Sequence, residues 1–176
     1  MTISPPLAGA TVGTWTLDPA ATTVTVSVKK LGLFTVSADL TVLDGQIEID
    51  ADGSVTGVSV QIDATSYRSP NDKRNEHVRG ADFLDADNHP VLAFRADNIA
   101  ADGTHYAVSG TVQVKGAESA MDAVVRDVEI QGDTAKFSLT AALDRTAIGV
   151  DKLPSIIVGN RLQLAVAATA HHQSAG

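Results

Sequence analysis

Apolar and polar residues alternate with a period of two along almost the whole chain. In TTVTVSVKK, Val24, Val26 and Val28 share one face, and Thr23, Thr25, Ser27 and Lys29 share the other. That is the pattern of a half-buried β-strand. In LFTVSADLTVLDGQIEID the apolar set runs Phe34, Val36, Ala38, Leu40 and Val42, then changes parity to Leu43, Ile47 and Ile49. A parity flip beside Asp44-Gly45 predicts a bulge in one long strand. Further runs follow at Val58–Ile62, Leu92–Ala96, Tyr106–Val114, Phe137–Leu143 and Leu162–Ala168. Another covers roughly Met121 to Ile130, where the facing is ambiguous. Turn chemistry at Asp52-Gly53, Asp102-Gly103 and Gly132-Asp133 separates several of them.

Eight long antiparallel strands leave two adhesive edges unless the sheet closes, so the pattern predicts an all-β fold, an extended eight-stranded antiparallel barrel. Ala38, Ala96, Gly110, Ala141 and Ala168 fall on the inferred inward face, where bulk would be needed to fill a barrel. Alternation alone leaves a hollow barrel, a solid one and a sandwich all open.

Composition narrows the function. The 176 residues suit one domain: 1–12 as a disordered lead-in and 13–172 as a single barrel, with a helix at about 71–80. A net charge of −8 disfavours nucleic acid and anionic membrane surfaces as partners. The chain has no cysteine, which excludes disulfides, thiolate nucleophiles and cysteine metal sites. The opening MTISPPLAGATVG lacks a basic region and an apolar core, so it reads as a lead-in and not a signal peptide. No window approaches the length of an apolar membrane span. A cytoplasmic protein is expected, although a removed leader would leave no trace. An exposed seam or lid leaves a homodimer open.

One stretch breaks the period of two: DKRNEHVRGADFLDADNHP, Asp72 to Pro90. Asn71 is placed to cap a short helix and Gly80 to end it in the left-handed conformation. A metal site would need His77, His89 and Asp82 or Asp85, whose separation fits no compact ligand spacing. An acid–base pair of His77 with Asp82 or Glu76 would need an orienting partner and a pocket. The favoured reading is a solvated crossover helix with locally paired charges, using no metal and no cofactor. His171 and His172 read as loose terminal residues.

The same stretch resembles the YceI-like family. That family carries a pattern close to R-D-x-H-L-R-S-x-D-F-F-D before a proline, and here Arg74 to Asp85 reads R-N-E-H-V-R-G-A-D-F-L-D, then Pro90. Trp15-Thr-Leu17-Asp18 fits its opening W-x-L-D, and Gly110-x-Val112-x-Val114-x-Gly116 fits its G-x-L-x-I-x-G. Asp144-Arg145 with Ile148-Gly149 fits its last motif. Asn75 stands where the pattern has aspartate, Lys30 where histidine is common, and Ala38 and Leu40 where Gly and Phe are usual.

The resemblance implies a lipocalin-like barrel with one short helical crossover between strands 3 and 4 and a hydrophobic channel. Its function would be non-enzymatic binding, transport or storage of a long-chain isoprenoid-type lipid, a polyprenyl phosphate or an isoprenoid quinone. Phe83 and Leu84 would plug the barrel from the crossover, and Arg74, Arg79 and Asp82 would hold that lid in place. Inward parity then nominates Val26, Val28, Val60, Leu92, Phe94, Val112, Phe137, Leu139 and Leu164 as residues against the tail. Lys29, Lys30, Lys73, Arg74 and Arg79 are the cations available to a phosphate head, with ordinary surface charge as their simpler role. The alternative is an enzyme acting on an amphiphile at the barrel mouth through His77 and a nearby carboxylate.

Overall fold

The computed structural model describes residues 12–30, 34–51, 55–70, 72–80, 84–102, 105–144 and 161–173. The expected lead-in therefore lies, except for Val12, outside the described residues, as do Asn71, Asp82 and Phe83. The strands are β1 (Gly13–Leu17), β2 (Thr23–Lys30), β3 (Phe34–Ile49), β4 (Val55–Arg68), β5 (Val91–Asp102), β6 (His105–Val114), β7 (Ala117–Gln131), β8 (Thr134–Asp144) and β9 (Arg161–His172). One helix, α1 (Asp72–Arg79), crosses from β4 to β5.

These nine strands fill eight barrel positions, every neighbouring pair antiparallel. β1 and β2 lie end to end between β3 and β9. β1 pairs Gly13–Thr16 with Ile49–Gln46 and Trp15–Leu17 with His172–Ala170, while β2 pairs with Leu40–Phe34 and Ala167–Gln163. A single 3₁₀ turn, Pro19–Ala21, breaks the stave between them, and the Asp18 carboxylate caps it by accepting from the Ala20 N–H at 3.0 Å. The β3–β4 pairing closes the barrel, so no strand is left as an edge. The sequence pattern identifies β2 and the seven strands after it, but treats β1 only as a family motif.

Parity reverses inside four strands, each time at a register shift; on β4 the shift falls at Thr56, between the pairings Glu48–Gly57 and Ile49–Val55, so that Val55 and Val58 both face inward. On β3, Val42 faces Ile62 and Asp44 faces Gln61, which leaves Leu43 as the extra residue. Leu43 points outward and is 46% exposed, correcting its expected inward place; Gly45 takes that position instead. A Cβ on Gly45 would meet the Leu17 side chain, its Cγ at 2.8 Å, so glycine is what lets Leu17 fold under the bend. On β5 the register shifts between Ala96 and Asn98. On β7 it shifts between Arg126 and Glu129, with Asp127 at φ 57°, and the inward row passes from Met121, Ala123 and Val125 to Val128 and Ile130.

The barrel has two unlike ends. The β3–β4, β5–β6 and β7–β8 hairpins lie at one, with the start of β1 and the end of β9. The end of β2 and start of β3, the β6–β7 turn, the end of β8 and start of β9, and α1 lie at the other. The β6–β7 turn holds Lys115 at φ 56° and Gly116 at φ 78°, two positive values that suit a tight hairpin. His171 and His172 are not loose: they form the last rungs of β9 and pair with Thr16 and Trp15.

Candidate functional site

A cavity of about 100 Å³ lies inside the barrel at the hairpin end, and no polar atom faces into it. Its wall comes from the inward rows of seven strands: Trp15, Ile47 and Ile49, Val55 and Val58, Phe94 and Ile99, Tyr106 and Val108, Val125, Val128 and Ile130, then Ala135, Phe137 and Leu139. Ala170 completes it from β9. The bulges on β5 and β7 matter here, because each turns a residue beyond it, Ile99 and Val128, onto this wall.

Phe94 bounds the cavity toward the middle of the barrel. Its ring lies over Gly110, where a Cβ would come within 2.7 Å of Cε2 and Cζ and would also strike the Arg95 carbonyl. Of the small inward residues expected from the pattern, Ala38, Gly110, Ala141 and Ala168 are buried and Ala96 half-buried, and none of them is on this wall. A second, larger depression of about 390 Å³ lies between the outer rows of β3 to β7 and is lined by Asp44, Gln46, Gln61, Arg95, Gln113 and Glu118.

Of the residues nominated for an apolar tail, Phe94, Phe137 and Leu139 stand on the cavity wall. Val26, Val60, Leu92, Val112 and Leu164 belong to the same core but not to that wall. Val28 is half-buried farther along β2, Leu84 packs on the core from the crossover, and Phe83 is outside the described residues. Trp15, Tyr106 and Ala170 were not nominated. Their signal is parity: each lies on an inward row within a few residues of a strand end.

The crossover sits at the opposite end from this cavity. Its helix buries a polar residue, Asn75, and no apolar one. The Asn75 Oδ1 accepts from the Ser69 N–H and the Ser69 hydroxyl, both at 2.7 Å, and its Nδ2 donates to the Ser69 carbonyl at 3.0 Å. Arg79 Nε donates to the Asn75 carbonyl at 3.0 Å. Gly80 does not take the left-handed conformation: its N–H donates to His77 O at 3.1 Å, and Asp85, at φ 47°, makes the left-handed turn instead. Leu84 N–H to Val78 O at 2.9 Å and Ala86 N–H to Arg79 O at 2.9 Å then fold the chain back, burying Ala86.

Beneath the helix, burial pushes the Tyr67 hydroxyl above its ordinary pKa, partly opposed by the Arg74 guanidinium. His77 and Glu76 are exposed on α1. Among the described residues no group of three His, Cys, Asp or Glu side chains is placed to hold a metal ion. Of the candidate cations, Lys73 is exposed while Arg74 and Arg79 are half-buried on α1; the Lys29 and Lys30 side chains are not described.

Charge around the cavity end runs the other way. Glu48, Asp50, Asp127, Glu129 and Asp133 lie on the last rungs there, against Arg126 and Lys136. On the outer face, His171 Nε2 meets the Asp18 carboxylate at 3.1 Å, and that hydrogen bond holds Asp18 below the usual carboxylate range. Among the described residues no helix is long and apolar enough to cross a membrane.

Comparison with known proteins agrees with this architecture. The chain superposes on BcnA of Burkholderia cenocepacia with a TM-score of 0.77 at 22% identity, over 87% of this chain and 98% of that one. A polyisoprenoid-binding domain from Saccharophagus degradans, implicated in plant cell wall breakdown, aligns with a TM-score of 0.67 at 12% identity, over 90% of this chain and 98% of that one. At these identities the likeness is one of fold. Among curated sequences, a UPF0312 protein of Pectobacterium atrosepticum is 28% identical over 51% of this chain and 47% of its own length. One from Vibrio cholerae is 28% identical over 55% and 49%. The chain thus spans about half the length of the curated relatives it matches. The model of the YceI-like domain matches residues 15–170, from the first tryptophan to the last inward alanine of β9, and the chain belongs to the YceI-like family.

Proposed function

We propose that this protein binds the apolar chain of an isoprenoid-type lipid inside its barrel, as a carrier or store and not as an enzyme. The observation that carries the reading is the wholly apolar cavity inside a closed barrel. The polyisoprenoid-binding neighbour from Saccharophagus degradans supports the choice of guest. The His77 alternative draws no support from position, since that side chain is exposed on the crossover, away from the cavity.

Magnitudes constrain how a tail would be held. A water-sized group needs roughly 10–15 Å³ of such volume, so the cavity takes on the order of seven to ten of them, about two five-carbon units. At about 0.8 kcal/mol per CH₂, two units give about 8 kcal/mol gross. Association costs on the order of 4–15 kcal/mol, so this cavity alone yields weak binding. A tight guest must reach past Phe94 toward the middle of the barrel, fix its head at the rim, or do both. The excess of carboxylates at the cavity end favours an uncharged head over a polyprenyl phosphate.

Mass spectrometry of an organic extract from freshly purified, denatured protein tests the reading. A stoichiometric isoprenoid lipid supports it and names the head. A clean extract, with no uptake of such lipids on reloading, overturns it.

A further inference from the structure

We propose that His172 is the head-group site of the barrel, and that it selects an uncharged head bearing a hydroxyl. The inference rests on the carrier reading above and specifies its polar end.

His172 ends the inward row of β9 that runs through Ala168 and Ala170, and Ala170 is part of the cavity wall. Directly across the β1–β9 pair stands Trp15, another wall residue, and the two rings meet edge to face with centroids 5.4 Å apart. The imidazole is only 13% exposed. Space for it comes from Gly13, at φ 124°, whose absent Cβ would sit 3.3 Å from Nε2. The imidazole thus stands one rung beyond the cavity wall, at the hairpin end, packed on Trp15 and not itself part of the lining.

Its hydrogen bonding is half used. The Nε2–H donates to the Val12 carbonyl at 3.0 Å, which leaves the neutral ring with a lone pair on Nδ1. The Asp133 carboxylate stands 3.9 Å from Nδ1, too far for a hydrogen bond. Turning the ring over would put a carbon opposite the Val12 carbonyl, so this hydrogen bond sets the ring's orientation.

That environment discriminates by chemistry. An anionic phosphate or carboxylate would approach an acceptor lone pair with Asp133 beside it, and is repelled. A bare carbonyl finds no donor on the neutral ring. A hydroxyl, from a long-chain alcohol or a reduced quinone ring, donates to Nδ1 while its chain enters past Trp15 and Ala170.

Farnesol, farnesyl phosphate and the headless hydrocarbon farnesene share one tail and separate these cases. Binding can be followed by the fluorescence of Trp15, the sole tryptophan, and by calorimetry. Farnesol is expected to bind the wild type more tightly than either companion. His172→Phe, which keeps a ring on Trp15, is expected to weaken farnesol about five- to tenfold, the yield of one neutral hydrogen bond, and to leave farnesene unchanged. His172→Gln, whose amide oxygen accepts, is expected to retain most of the preference. In the wild type, the ¹⁵N resonance of the unprotonated His172 nitrogen is expected to move with farnesol and not with farnesene, a readout that needs no variant. If farnesol and farnesene bind alike and that resonance stays still, the head-group site is wrong while the carrier reading stands. If neither binds, the carrier reading fails and takes this proposal with it.

Discussion

The side-chain amide of Asn75 grips Ser69 at three points, accepting from its N–H and its hydroxyl and donating to its carbonyl. Both residues are buried, Asn75 at 5% exposure and Ser69 at 7%. A helix of eight residues has little stability of its own. This polar clasp is therefore what holds the crossover to the end of β4.

Asn75→Ala removes all three hydrogen bonds that its side chain makes with buried Ser69. We expect a loss of about 2–4 kcal/mol in chemical denaturation, with rapid amide exchange across residues 72–80. Asn75→Asp, the residue of the family pattern, keeps the two acceptor bonds but sets a carboxylate oxygen against the Ser69 carbonyl. It should fall between wild type and alanine at neutral pH. Equal stability of all three proteins would show that the clasp contributes nothing.

Phe94 and Gly110 give a second test, because the ring occupies the volume that glycine leaves empty. Gly110→Ala should cost about 1–3 kcal/mol through overpacking and tilt the ring into the cavity. Phe94→Leu, a milder change of about 1 kcal/mol, should deepen the cavity toward the middle of the barrel. In a series of prenols of increasing length, the leucine variant should shift its best ligand to a longer chain and Gly110→Ala to a shorter one. Identical length profiles would mean that Phe94 does not set the depth.

The barrel was legible because alternation survives wherever one face is buried, and because the flip at Leu43 announced a bulge before any coordinate did. The flip on β7 hid itself: Val124, Val125 and Val128 are all apolar, so neither parity stood out, and the residue in the left-handed region is Asp127 and not a glycine. Asn75 was invisible as an anchor, since a polar residue on a polar helix reads as solvated. The histidines at 171 and 172 looked loose because their partners, Asp18 and Trp15, lie more than 150 positions away. Where the cavity falls depends on summed side-chain volumes across eight strands, which no local pattern carries.

Thr16 offers a gain of stability. Its Oγ1 is buried, and among the described residues it has no hydrogen-bond partner. Valine has nearly the same shape without the hydroxyl, so Thr16→Val removes the desolvation penalty and keeps the β-branched packing. An increase of about 1 kcal/mol, seen as a rise of a few degrees in Tm, is expected. A lower Tm would show that the hydroxyl is satisfied in solution.

The Asp18–His171 pair predicts a pH dependence whose direction is fixed. Asp18 titrates below its ordinary value of 3.8 in the folded protein, first because it accepts a hydrogen bond from His171 and further because it caps the Pro19–Ala21 turn. As pH falls, the unfolded chain takes up this proton before the folded one does. The stabilisation is therefore intact above the ordinary carboxylate value and is lost as pH falls through the folded one. His171→Ala should raise the Asp18 midpoint, read directly by NMR of its carboxyl carbon. It should also lower stability at pH 5, with the gap to wild type closing as Asp18 becomes protonated. A gap that keeps its full size after Asp18 is protonated would assign the effect of His171 to packing against β1 and β8, not to the carboxylate.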